Sequence, residues 1–153
     1  MKQTPEMARI QAEMRPGVIV QSGFLGTDRR ALADILDADD ACVKRLGLTH
    51  QMIAERLRQL REAGAKGLGL AVSVPPHFDA RVDGVRGMLP CPFGHAGLYG
   101  KTFCSVRNLR LGEEIVFSDL HIHLIEAHGF YEGEGSAYRL APDQVARVLE
   151  LAP

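Results

Sequence analysis

The chain has 153 residues, 46% hydrophobic and 24% charged, a balance that suits one packed domain over 1–153 and excludes a disordered tract. Lys and Arg number 18 against 19 Asp and Glu, and this net charge of -1 excludes a whole-surface attraction to nucleic acid or anionic lipid. No apolar run approaches the roughly 20 residues of a membrane helix, and Cys42, Cys91 and Cys104 make no disulfide framework, so the expectation is a soluble cytoplasmic protein without a membrane partner.

Residues 4–14 predict a short polar helix, stopped at Arg15-Pro16-Gly17 because proline disfavours helix in the residue before it. Val18, Ile19 and Val20 suit a short strand. Asp28 is a candidate N-cap for a helix over 29–46 with an apolar face of Leu32, Ile35 and Leu36. Asp37, Asp39 and Asp40 interrupt that face, so two shorter helices are an alternative. Thr49 caps a clearer helix, in which Ile53, Leu57 and Leu60 recur at helical spacing and Gly64 offers the left-handed residue that ends many helices.

The second half changes character. Residues 68–74 form a nearly continuous apolar run, expected as a buried strand and broken by Pro75-Pro76. Phe78–Asp83 alternates strictly, as a strand with one wet face does. Residues 102–108 and 114–118 are further strands, and Asp143 opens a last helix carrying Val145, Val148 and Leu149. The plan is α+β: a helical N-terminal half (1–64) packed on a small, mostly antiparallel sheet within 68–153, with a short C-terminal helix.

The unusual chemistry lies between Arg86 and Arg139, where four of the six histidines fall between His95 and His128. In Cys91-Pro92-Phe93-Gly94-His95 the prolines on either side of Cys91 stiffen the backbone, and a thiolate and an imidazole four positions apart can reach one zinc ion. Downstream, Ser118-Asp119-Leu120-His121-Ile122-His123 runs on to His128 and Gly129. As a strand, this segment puts Asp119, His121 and His123 on one face, with alternate residues about 6.6 Å apart. As a helix, it has Ser118 as N-cap and Gly129 as stop, which favours that form. His121 and His128 then stand about 10.5 Å apart along the axis, and His123 faces Asp119 and Glu126.

These residues point to a site for zinc or another divalent transition metal, drawn from Cys91, His95, His121, His123 and His128. Such a site suits a metal-dependent hydrolase or a binder of a small-molecule ligand. In a hydrolase, metal-bound water would be the nucleophile, Asp119 or Glu126 the base and Arg139 the substrate anchor. Arg139 ends the glycine-rich stretch 129–139, a candidate lid. Cys91 as a thiol nucleophile with a histidine base is an alternative, whereas Cys104 suits a strand core and Cys42 a structural place.

A different function is suggested by residues 46–64. Leu46-Gly47-Leu48-Thr49, the spacing of Ile53, Leu57 and Leu60, and the terminal Arg61-Glu62-Ala63-Gly64 resemble the recognition helix of winged-helix repressors such as the bacterial metal-sensing ones. The resemblance implies that Thr49, His50, Gln51 and Arg56 meet DNA in the major groove and that residues 68–82 make the wing hairpin. The third expectation is a structural or partner-binding domain without chemistry. Nothing in the sequence fixes an oligomeric state.

Overall fold

The computed structural model describes residues 1–84 and 87–153; Val85 and Arg86, at the edge of the histidine-rich region, lie outside the described residues. Helix α1 (Pro5–Glu13) starts where the Thr4 hydroxyl accepts the amide of Met7 and Pro5 supplies a preset φ. The chain then turns instead of forming a strand at Val18, Ile19 and Val20. Gly17 donates its amide to the Val20 carbonyl, and that turn uses the groups a ladder would need.

Helix α2 (Leu32–Arg45) begins later than expected, because Asp28 has other partners. Its carboxylate accepts the backbone amide, Nε and Nη2 of Arg30 at 3.1, 3.0 and 2.7 Å, and the amide of Glu134 at 3.0 Å. The Arg30 hydrogen bonds, joined by the Glu134 amide, hold the Asp28 carboxyl down to a pKa of about 2 although burial pushes the other way. A depressed carboxyl contributes stability that is complete above the ordinary value of 3.8 and is lost as pH falls toward 2. Asp28→Asn is therefore expected to cost on the order of 1–2 kcal/mol near neutral pH. In urea unfolding at a series of pH values, the gap between the two proteins should close between about pH 4 and pH 2. A gap independent of pH would contradict this account.

Helix α2 is not split by its aspartates. Asp39 turns inward onto Arg139, while Asp37 meets the N-terminal ammonium and Asp40 meets Lys44 and His50. Helix α3 (His50–Ala65) is capped by Thr49, which accepts the Met52 amide, and buries the expected Ile53, Leu57 and Leu60. Gly64 is not its left-handed stop. It lies inside the helix, where a Cβ would stand 3.1 Å from Val82 Cγ2 and 3.2 Å from the Ala80 carbonyl carbon. The missing side chain lets α3 rest on the sheet.

Of the run 68–74 only β1 (Val72–Val74) is extended, and Leu68 and Leu70 are 93% and 74% exposed in a turn rather than buried in a strand. Strand β2 (Phe78–Asp83) has the expected alternation, with Phe78 and Ala80 buried. A small hairpin, β3 (Met88–Pro90) with β4 (Leu98–Gly100), occupies a stretch that the sequence suggests is loop. Strands β5 (Phe103–Asn108) and β6 (Glu113–Ser118) complete the main sheet in the order β1-β2-β5-β6, with every pairing antiparallel.

Helix α4 (Asp119–His128) follows β6 directly, and α5 (Pro142–Leu149) starts one residue before Asp143 with proline in its first turn. One core joins α3, the sheet and α5 through residues such as Leu57, Phe78, Val106, Phe117 and Val148. A second joins the N-terminal helices to α4 through Met14, Phe24, Leu32, Leu124 and Phe130. The architecture is the expected α+β arrangement. No helix among the described residues is long and apolar enough to cross a membrane.

Candidate metal site

The site is built where α4 meets the loop that joins β3 to β4. Both ends of α4 are closed by the expected residues. At the start, the Ser118 hydroxyl accepts the His121 amide at 3.4 Å, and the Ser118 amide donates to His121 Nδ1 at 2.9 Å. At the end, Gly129 adopts φ 61°, and the amides of Gly129 and Phe130 donate to the carbonyls of Ile125 and Leu124. A side chain at 129 would also meet the His50 ring at 2.9 Å. These bonds select the helix over the strand and aim His123 and His128 at the loop.

The loop supplies Cys91 and His95. A turn closed by the Gly94 amide on the Cys91 carbonyl at 3.0 Å shapes it. Cys91 Sγ lies 3.5 Å from His128 Nε2, and His95 Nδ1 lies 3.2 Å from His123 Nε2. One ligand atom each from Cys91, His123 and His128 falls within 4.8 Å of the others, so this group can hold a metal ion. The His95 ring centroid stands 4.9 Å from that of His123 and 5.4 Å from that of His128.

Aromatic neighbours fix the imidazoles. Phe93 stacks on His128 at 4.0 Å and 5°, and Tyr99 stacks on His123 at 4.0 Å and 18°. Neither ring is marked as part of a site by the sequence, because an aromatic in a loop carries no metal signature of its own. Burial, followed by the neighbouring His123 and His95, brings His128 down to a pKa of about 4. Burial and then His95 lower His123. Both rings are thus free of a second proton near neutral pH, the state a metal requires. Burial pushes the Cys91 thiol up, while the backbone amides of Phe93 and His95 oppose that shift by favouring the thiolate.

His121, the fifth member of the expected ligand pool, is elsewhere. Its Nδ1 accepts from the Ser118 amide, so the ring proton sits on Nε2, which donates to Glu132 at 2.5 Å. Ser136 donates to the other oxygen of the same carboxylate at 2.7 Å. Among the described residues, His121 is the only one of the four histidines in that pool with both ring nitrogens hydrogen-bonded outside the cluster. Of the six histidines, His50 bridges Tyr131 and Asp40, and His77 meets Glu150.

The expected acid–base and anchoring residues are also engaged. Asp119 accepts from Arg61 at 2.8 Å, and Glu126 accepts from Arg58 at 2.9 Å. Arg139 forms a two-pronged pair with Asp39 and donates to the Glu132 carbonyl. The stretch 129–139 is consequently no open lid at its start: Phe130, Tyr131 and Glu132 are buried. Cys104 is buried in the sheet with its thiol pushed up to about 12 by burial, and Cys42 is half-buried in α2.

Among the residues that would meet DNA, Thr49 is the cap of α3 and His50 is the bridge just described. Arg56 bonds Gln59 and lies 5.8 Å over the Phe78 ring. The exposed face of α3 presents Gln51, Glu55, Gln59 and Glu62. Comparison with family models, curated proteins and solved structures finds no match, so function has to be argued from the site itself.

Proposed function

We propose that the chain binds one zinc-like divalent ion on Cys91, His123 and His128, with His95 as the fourth ligand. The observation that carries this reading is the pair of short contacts across the cluster. In a tetrahedral zinc site, bond lengths of about 2.05 Å to nitrogen and about 2.3 Å to sulfur put neighbouring nitrogens about 3.3 Å apart, and sulfur about 3.6 Å from nitrogen. The contacts here are 3.2 Å and 3.5 Å. One thiolate and three imidazoles suit zinc better than calcium or magnesium, which prefer oxygen.

Cys91, His123 and His128, the three donors within 4.8 Å of one another, leave a fourth position. Filled by His95, whose Nδ1 lies 3.2 Å from His123 Nε2, the site would be closed to water and substrate and would fix structure rather than hydrolyse. The ion pairs of Asp119, Glu126 and Arg139 point the same way, since each group already has a strong partner. The ion would tie the β3–β4 loop to α4. Protein purified without a histidine tag, stripped of metal and titrated with zinc, is expected to take up about one equivalent. Its cobalt form should show the thiolate charge-transfer absorption and intense visible bands of a four-coordinate ion. Uptake below about a tenth of an equivalent would end the proposal.

A regulator reading draws support from chain order alone, because α2, α3 and the β1–β2 hairpin follow one another as helix, helix and wing. The two glutamates on the exposed face of α3, and the ion pairs that occupy Arg58 and Arg61, make it the weaker of the two.

A further inference from the structure

A cavity of about 110 Å³ opens between the loop after α1, strand β5 and the first turn of α4. Its walls are apolar and largely aromatic, formed by Phe24, Leu89, Phe103, Leu120 and Tyr138. Burial gives it a direction. Phe24 and Leu120 are 3% exposed, and Ser118, His121 and Glu132 lie between 3% and 7%, so these residues form the floor. Lys101 and Tyr138 reach solvent and form the mouth. Tyr138 stacks on Phe103 at 5.1 Å and 23°, which sets a flat aromatic wall beside the opening.

The polar groups have an unequal distribution. At the floor, His121 has both ring nitrogens engaged, and its Nε2 proton goes to Glu132. Among the described residues, no acid forms an ion pair with Lys101, which lines the cavity at its mouth. An anionic group would meet the Glu132 carboxyl at the floor but an ammonium at the mouth.

We infer that this cavity is a binding site for a small organic acid, with a compact apolar body inside and a carboxylate held by Lys101. An apolar cavity of about 150 Å³ takes up benzene whole, so an open one of about 110 Å³ holds the larger part of a ring, with the remainder and its charged end projecting from the mouth. A predominantly apolar pocket with a few placed polar groups is the usual form of a small-molecule site. The site is separate from the Cys91 cluster and does not depend on whether a metal binds there.

Benzoate is the probe, with benzamide as its uncharged near-isostere, and binding is followed by NMR shifts of Phe24, Phe103 and Tyr138. Benzoate is expected to saturate with a Kd of about 1 mM or tighter, and benzamide should bind at least about tenfold more weakly. Lys101→Met should abolish that preference, and Val20→Trp, at a residue that also lines the cavity and whose ring would fill it, should abolish binding of both probes. Lys101 is at the surface, so its substitution reports on binding even if the filled variant folds poorly. Zinc content should be the same in all these proteins, which separates this result from the fate of the metal proposal. Absence of saturable benzoate binding up to about 10 mM, equal binding of benzamide, or an unchanged preference in Lys101→Met would each overturn the inference.

Discussion

Replacing Cys91 by serine is expected to lower zinc affinity by about a hundredfold or more. Structural zinc sites in small peptides are held by about 10–16 kcal/mol over four ligands, or about 3 kcal/mol for each, and 1.4 kcal/mol is a factor of ten. Serine keeps the size of the side chain and removes the soft donor. His95→Ala, which removes the proposed fourth ligand, should also cost at least about tenfold, and competition with a chromophoric chelator measures both. His121→Gln is the contrasting case. It should lower stability, since it removes the Nδ1 that accepts the Ser118 amide at the start of α4, while the folded fraction binds zinc as the parent does. The pH dependence has a definite sign. Burial raises the Cys91 thiol, and a metal binds the thiolate, so apparent affinity should climb with pH through the neutral range by about one log unit per pH unit. The histidines should add little to that slope, because His128 is already held down to about 4 and His123 is lowered. In Cys91→Ser the slope should disappear. Equal affinity and equal slope in the serine variant would remove the thiol from the site.

The parts of the fold that the sequence announces are those fixed by local chemistry. Thr49 and Ser118 cap their helices, Gly129 stops α4, and the alternation of Phe78–Asp83 makes a strand, because each depends on residues within a few positions. The failures share a cause at longer range. Asp28 looks like a cap, yet it is taken by Arg30 and by Glu134, which is 106 residues away. Gly64 looks like a stop but is small because Ala80 and Val82 press on it. The run 68–74 looks buried because apolar residues normally are, whereas Leu68 and Leu70 face water. In the site, the sequence identifies the right residue types without the right grouping. Ser118, three residues before it, engages His121 Nδ1 in the capping box, yet a histidine is not the usual residue for that role and the sequence does not single it out. Two residues apart on a helix, His121 and His123 point about 160° away from each other. One side of α4 receives Glu132 and the other receives the Cys91 loop. The β3–β4 hairpin, itself unannounced, brings the Cys91 loop to the His123 side.

Arg139 shows what the glycine-rich stretch does in place of gripping a substrate, and its loss should be the most damaging change to stability. Its guanidinium meets both oxygens of Asp39 at 2.8 and 2.9 Å and the Glu132 carbonyl at 2.6 Å, with the two side chains only 15% and 6% exposed. These bonds tie α2 to the segment that carries Glu132, and Glu132 in turn receives His121 from α4. Three parts of the chain thus meet through one ion pair and one carboxylate. Arg139→Ala removes the partner but leaves Asp39 buried on α2, where an unpaired charge is expensive. The expected cost is about 3–5 kcal/mol by chemical denaturation, a large share of the stability of a domain of this size. The pair itself need not be strongly stabilising, because both charges give up water to form it. Asp39→Leu with Arg139→Met, which fills the same space without charge, should therefore recover most of the loss. That recovery would distinguish the penalty of a stranded carboxylate from the loss of an indispensable contact. A single variant within about 1 kcal/mol of the parent would show that Asp39 finds water or another donor, and that the link between α2 and the 129–139 stretch does not rest on this pair.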